Sequence, residues 1–294
     1  MADVHEKDYG HTGSFNPNYP TASNPKNPAT NEHSHMDGTH DPDQALRKIR
    51  NAGSISISPE LFEKIYLSPQ NNVKGDLRGT FANPTPLALL GFLLSLSPLS
   101  CDLMGWRGAG GSGIASIGAY YFMGGLLMII GGVLDWVLGN TFPFVVFCSL
   151  GGFWLTFATT LNAAYGAQGG PFPESFAFFL LFMGLLCFVY LIASLRTNVM
   201  FFTIFLTLTI AFCTLAGAYW HLAKGTPSAT AYAGKLEIVA GAFFFVTCMA
   251  GWWIFLAQML ASVDFPIQIP VFDISHIIKP ASAKLKEKDD RYNA

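Results

Sequence analysis

Residues 175–195 read SFAFFLLFMGLLCFVYLIASL, an unbroken apolar stretch bounded by Glu174 and Arg196. A helix rises about 1.5 Å per residue, so this segment spans the roughly 30 Å hydrocarbon core of a bilayer. It contains no helix-breaking proline and no charge, and a soluble helix of that length would need a polar face. Working outward, five more stretches meet the same length and composition, and six spans are expected at 84–105, 112–138, 142–162, 175–195, 199–221 and 233–260. The breaks between them carry turn residues: Gly108 to Gly111, Gly139-Asn140, Gly166 to Pro173, Arg196-Thr197-Asn198 and Lys224 to Ser228. The expected fold class is an all-α polytopic membrane protein with six transmembrane helices.

Composition agrees with this reading. Of 294 residues, 51% are hydrophobic and 12% charged, with a mean hydropathy of +0.37, against about 25% charged in soluble domains. A net charge of -2 offers no electrostatic footprint for nucleic acid. The charges divide the chain into three parts: residues 1–80 hold 8 basic and 10 acidic side chains, residues 81–265 hold 4 and 5, and residues 266–294 hold 5 and 4. The middle part is the membrane domain and the outer parts are tails. Cys101, Cys148, Cys187, Cys213 and Cys248 all fall in the apolar part and read as small fillers rather than a disulfide framework. No apolar run follows Met1, so the first span is expected to serve as the targeting signal.

The first eighty residues are read as a largely disordered tail, because Asn, Pro, Ser, Thr and Gly leave little apolar surface to offset ordering entropy. His33, His35 and His40 lie there without cysteine or helical spacing, and no metal site is assigned to them. Residues 43–66 carry enough apolar punctuation for a short interfacial helix, and Ser58-Pro59 and Ser68-Pro69 are candidate phosphorylation points. Lysine and arginine near helix ends set orientation. Lys64, Lys74 and Arg78 precede the first span, Arg196 separates the fourth and fifth, and Lys279, Lys284, Lys286 and Lys288 follow the sixth, against Arg107, Lys224 and Lys235 on the other face. Both termini are therefore expected in the cytosol.

Gly111, Gly118, Gly125, Gly132 and Gly139 recur every seven residues, and Gly234 and Gly241 repeat the spacing. Such a stripe lets another backbone approach closely in lipid, either within the chain or between copies. Enzymatic chemistry has little to work with: His221 beside Trp220 is the sole histidine in 41–275, and no nucleophile motif, phosphate loop or metal-ligand spacing occurs. Neither cofactor nor metal is expected. Polar groups inside spans are candidates for handling a solute: Asp102 and Asp135, both placed near solvated helix ends, and Asn162, Thr156, Thr159, Thr160, Thr207 and Thr209. Asn83-Pro84-Thr85-Pro86-Leu87 puts Asn at an N-cap and Pro at N1. That arrangement is a well-made helix start, and it is also a positive dipole end able to face a carboxylate.

These residues resemble a known family, the acetate uptake transporters, which include bacterial acetate/succinate permeases and fungal proteins linked to acetate uptake or ammonia export. The likeness runs from about Gly79 to Pro270. It rests on Asn83-Pro84-Thr85-Pro86-Leu87-Ala88-Leu89 against the family's Asn-Pro-Ala-Pro-Leu-Gly-Leu, and on Gly139-Asn140-Thr141-Phe142, Gly152-Phe153-Trp154-Leu155, Leu195-Arg196-Thr197-Asn198-Val199 and Ala216-Gly217-Ala218-Tyr219-Trp220-His221. The resemblance implies a transporter of acetate or another small carboxylate, assembled as a hexamer in a plasma membrane with one pore per protomer. It implies a substrate pathway along Asn83, Pro84, Thr85, Pro86, Leu87, Phe92, Leu150, Trp154 and Leu208, with Phe92, Leu150 and Leu208 at the constriction. Asp135, Asn140, Thr141 and Thr207 are the accompanying polar or proton-handling groups. Two departures stand out: Leu150 replaces a frequent Tyr, and Asp135 a frequent Glu. Ammonia export and acetate sensing are the alternative activities.

Overall fold

The computed structural model describes residues 80–275 and 277–278. The N-terminal tail up to residue 79, with its histidines, Ser-Pro pairs, amphipathic stretch and basic residues, lies outside the described residues, as do Lys279, Lys284, Lys286 and Lys288. Six long apolar helices follow in order: α1 Thr85–Leu103, α2 Ile114–Val137, α3 Thr141–Leu161, α4 Phe172–Ser194, α5 Val199–Leu222 and α6 Pro227–Ser262. The described residues form no strand beyond an isolated antiparallel bridge, Asn198 with Asp273. The fold is all-helical with six membrane-length helices, as the hydropathy pattern requires.

The boundaries match to within a few residues except at the start of α6. Hydropathy fades around Lys235 and Glu237, but the helix continues back to Pro227, where Thr226 Oγ1 accepts the Ala229 N–H at 3.3 Å. Cap chemistry, not apolarity, sets this end. Its 36 residues make a helix of about 54 Å, well beyond what a bilayer core requires.

α1 packs between α2 and α6, α3 lies on α2, and α5 sits between α4 and α6. The glycines of α2 explain how closely the first pair approaches. A Cβ on Gly131 would lie 2.7 Å from the Ala88 Cβ on α1, and one on Gly132 would lie 2.7 Å from Cys148 Sγ on α3. One turn pair earlier, Gly124 sits beneath Trp154 and Ser95, and Gly125 beneath Leu155. The seven-residue stripe therefore divides: Gly125 and Gly132 serve packing inside the chain, Gly111 and Gly139 adopt positive φ of 76° and 75° in turns, and Gly118 meets nothing. Its immediate neighbours Gly124 and Gly131, outside the stripe, do equal work against α1. The middle of α2, Tyr120–Leu127, is π-helical, a widened turn where the glycine pair Gly124-Gly125 lies.

Beyond α6 the chain doubles back. Val199 N–H donates to Phe272 O at 2.9 Å, Ile274 N–H to Thr197 O at 3.1 Å, and Trp253 Nε1 to Pro270 O at 2.8 Å, with Val271 buried beneath. Residues 270–274, which the sequence places in the C-terminal tail, thus lie against the α4–α5 turn. The starts of α1, α3 and α5 and the end of α6 share one end of the bundle, called the near end below.

Candidate functional site: an apolar centre between two polar ends

At the near end, Pro84 already has helical angles (φ -85°, ψ -16°), so Asn83 is the cap by dihedral although the hydrogen-bonded helix starts at Thr85. Asn83 Oδ1 accepts the Thr85 N–H at 2.9 Å, the capping contact the motif predicts. Thr85 is buried, and its hydroxyl donates to Asp135 at 3.1 Å to Oδ1 and 3.3 Å to Oδ2. Pro86 and Leu87 are part-buried in the same first turn.

Asp135 corrects the sequence reading. Expected at a solvated helix end, it is 0% exposed. The left-handed turn at Gly139 folds the chain so that Asn140 N–H reaches Asp135 O at 2.9 Å and Asn140 Nδ2 donates to Asp135 Oδ1 at 3.0 Å. A buried carboxylate is tolerable only with such donors. Asp135 thereby ties the start of α1, the end of α2 and the start of α3 together. Thr141, one residue on, is exposed.

In the middle of the bundle Phe92, Leu150 and Leu208 are all buried in one apolar core, each near the centre of its helix. Thr207, beside Leu208, is occupied: its hydroxyl pairs with Thr247 Oγ1 at 2.7 Å across the α5–α6 seam and donates to Thr203 O at 2.8 Å. That arrangement joins helices. Next to Leu150, Ser149 Oγ meets Tyr190 OH at 2.8 Å, so a phenol from α4 reaches the neighbouring residue. Trp154 faces α2, its ring stacked on Tyr120 at 5.0 Å and lying over Gly124.

Toward the far end the helices leave a narrow cavity of about 20 Å³, room for a group the size of a water molecule. Its lining includes Leu96, Phe153, Phe212 and Phe244, each one turn beyond Phe92, Leu150, Leu208 and Thr247 respectively. Phe153 meets Phe212 edge-on at 5.1 Å and Phe212 meets Phe244 at 5.4 Å, so three helices supply one aromatic layer. The rest of the wall is apolar apart from Ser112, Tyr219 and Glu237. Sequence reasoning missed this layer, although its members follow the expected constriction by one helical turn. It also missed Glu237, whose signal was a lone acid inside an apolar span.

The bundle thus has polar groups at both ends and an apolar centre, and comparisons with known proteins bear on its family. The description "GPR1/FUN34/yaaH family" matches residues 67–276. The chain belongs to that family. Among relatives, it is 43% identical over 238 residues to Protein alcS of Aspergillus fumigatus, covering 76% of this chain and 86% of that one. It is 33% identical over 223 residues to Acetate permease A of Emericella nidulans, 72% of each. It is 28% identical over 230 residues to Ammonia transport outward protein 2 of Saccharomyces cerevisiae, 71% of this chain and 78% of that one. A solved structure, that of the bacterial acetate channel SatP, is similar with a TM-score of 0.50 and 25% identity, covering 65% of this family member and 99% of that chain.

Proposed function

We propose that this family member carries acetate and similar short monocarboxylates across the membrane, moving them with or as their protons. The observation that carries the reading is the apolar core of the path. Phe92, Leu150, Leu208, Phe153, Phe212 and Phe244 are all apolar, and the polar groups at their level are paired with one another, Thr207 with Thr247 and Ser149 with Tyr190. Stripping water from a carboxylate there without partners is prohibitive, whereas the neutral acid crosses at far lower cost. The names of Acetate permease A and of the SatP acetate channel agree with this choice. The basic residues that the sequence places before the first span, between the fourth and fifth and after the sixth support cytosolic termini. A plasma-membrane hexamer is the assembly the family resemblance implies, and the exposed apolar flank of α2, including Phe122, Trp136 and Leu126, suits lipid or a neighbouring copy.

Labelled-acetate counterflow by purified protein in liposomes tests the reading. Exchange faster than in empty liposomes at acidic pH is expected. Its absence, together with methylammonium exchange, would replace it with ammonium export. Glu237 is the observation favouring that second reading, since its carboxylate lines the same cavity as Tyr219, Phe212 and Phe244, and a carboxylate among aromatic faces suits a small cation.

Asn83 belongs to this proposal. As a cap alone it tolerates Asp or Ser at a cost within about 1 kcal/mol. As a substrate ligand it does not: Asp adds a negative charge near buried Asp135, and Ser is too short. Asn83→Asp and Asn83→Ser are expected to remain folded and at normal abundance while losing most acetate transport. Near-normal uptake by both would leave the Thr85 capping bond as the whole of its role.

A further inference from the structure

Gln258, in the last turns of α6, is 5% exposed, and neither its amide nitrogen nor its amide oxygen has a hydrogen-bond partner. A buried amide left unanswered is costly. Such groups in folded chains are normally satisfied by protein, water or ligand.

Its place in the fold indicates which. Seven residues are close to two helical turns, so Glu237, Phe244, Gly251 and Gln258 lie on one stripe of α6. The first two line the far cavity. A Cβ on Gly251 would meet Leu93 Cδ2 at 2.7 Å and Leu89 Cδ1 at 3.9 Å, so the stripe runs on against α1. In this antiparallel pair, seven residues further along α6 correspond to seven back along α1, which brings Gln258 level with Thr85 and the Asn83 motif. The Thr207–Thr247 bond sets the register of α5 against α6 and puts Gln258 level with the α4–α5 turn. There Arg196 Nε is likewise buried without a partner. The stripe that lines the vestibule at one end of the path thus ends, at the other, in an unanswered amide, with an unanswered guanidinium N–H at the same level.

We propose that Gln258 is a carboxyl-binding residue at the near end of the path. Its N–H donates to the carbonyl oxygen of a short monocarboxylic acid and its C=O accepts the acid's O–H, so that one amide satisfies both halves of the protonated group. When the acid is ionised, the N–H still donates to it, and Arg196 at the same level contributes a favourable charge. This inference rests on the monocarboxylate reading above and adds a residue that selects for it.

The test uses the full-length protein in liposomes and compares wild type, Gln258→Leu and Gln258→Asn for labelled-acetate counterflow and for competition by acetamide, which offers N–H and C=O without charge. Gln258→Leu is expected to raise half-saturating acetate about tenfold and to abolish acetamide competition. Gln258→Asn, with its amide one methylene short, is expected to fall between. Thermal melting of each variant in detergent reports folding separately, and if Gln258→Leu is unstable, Gln258→Asn carries the decision. Wild-type half-saturation and competition in a folded variant would overturn the role of Gln258. Absence of counterflow in the wild type itself would overturn the monocarboxylate reading instead.

Discussion

Phe92→Ala and Leu208→Ala are expected to pass lactate and succinate more readily than the native chain does. Each side chain is buried at mid-helix, one turn below a residue lining the far cavity, so truncation extends that cavity toward the near end. A single methylene in a tight apolar pocket discriminates by roughly tenfold or more, and removing a phenyl ring or an isobutyl group exceeds that. Uptake of lactate relative to acetate is therefore expected to rise at least about tenfold in either variant. Core truncations of this kind cost about 2–5 kcal/mol, so abundance and melting temperature must be measured alongside. Unchanged selectivity in folded variants would move the narrow point to the layer of Phe153, Phe212 and Phe244, where Phe212→Ala becomes the informative change.

The second large effect is expected at Asp135. Replacing it with Ala leaves the Thr85 hydroxyl and the Asn140 amide without their acceptor in a site closed to solvent. Each such loss costs about 1–3 kcal/mol. Because these bonds hold the starts of α1 and α3 to the end of α2, Asp135→Ala is expected to lower the melting temperature by several degrees and abolish transport. Asp135→Glu retains the carboxylate with one more methylene and is expected to keep both stability and most activity. A stable, fully active Asp135→Ala protein would reduce the three-helix junction to an incidental contact.

The six spans were legible because each is about twenty apolar residues long and closed by turn chemistry, and both properties are local. What escaped the sequence depends on residues far apart in the chain. Thr85 and Asp135 are separated by fifty positions, and their bond forms only because α1 and α2 approach over Gly131 and the Gly139 turn returns Asn140. Hydropathy marked Asp135 as a helix-end charge, while packing buries it. The start of α6 escaped for the opposite reason, since Thr226 and Pro227 are strong local signals but lie outside the apolar window. Gln258, Glu237 and the aromatic layer each sit on an α6 or neighbouring stripe whose facing direction only the assembled bundle defines. Even the return of residues 270–274 onto the α4–α5 turn has no periodicity that announces it.

The central claim is that a carboxylic acid crosses an apolar core with its proton. Labelled-acetate uptake into liposomes at acidic external pH, with simultaneous recording of internal pH, tests it most directly. Uptake above that of empty liposomes, with the lumen acidifying in step as the entering acid dissociates, is the expected result. Uptake without acidification, accompanied by a membrane potential that the entering anion generates, would contradict it.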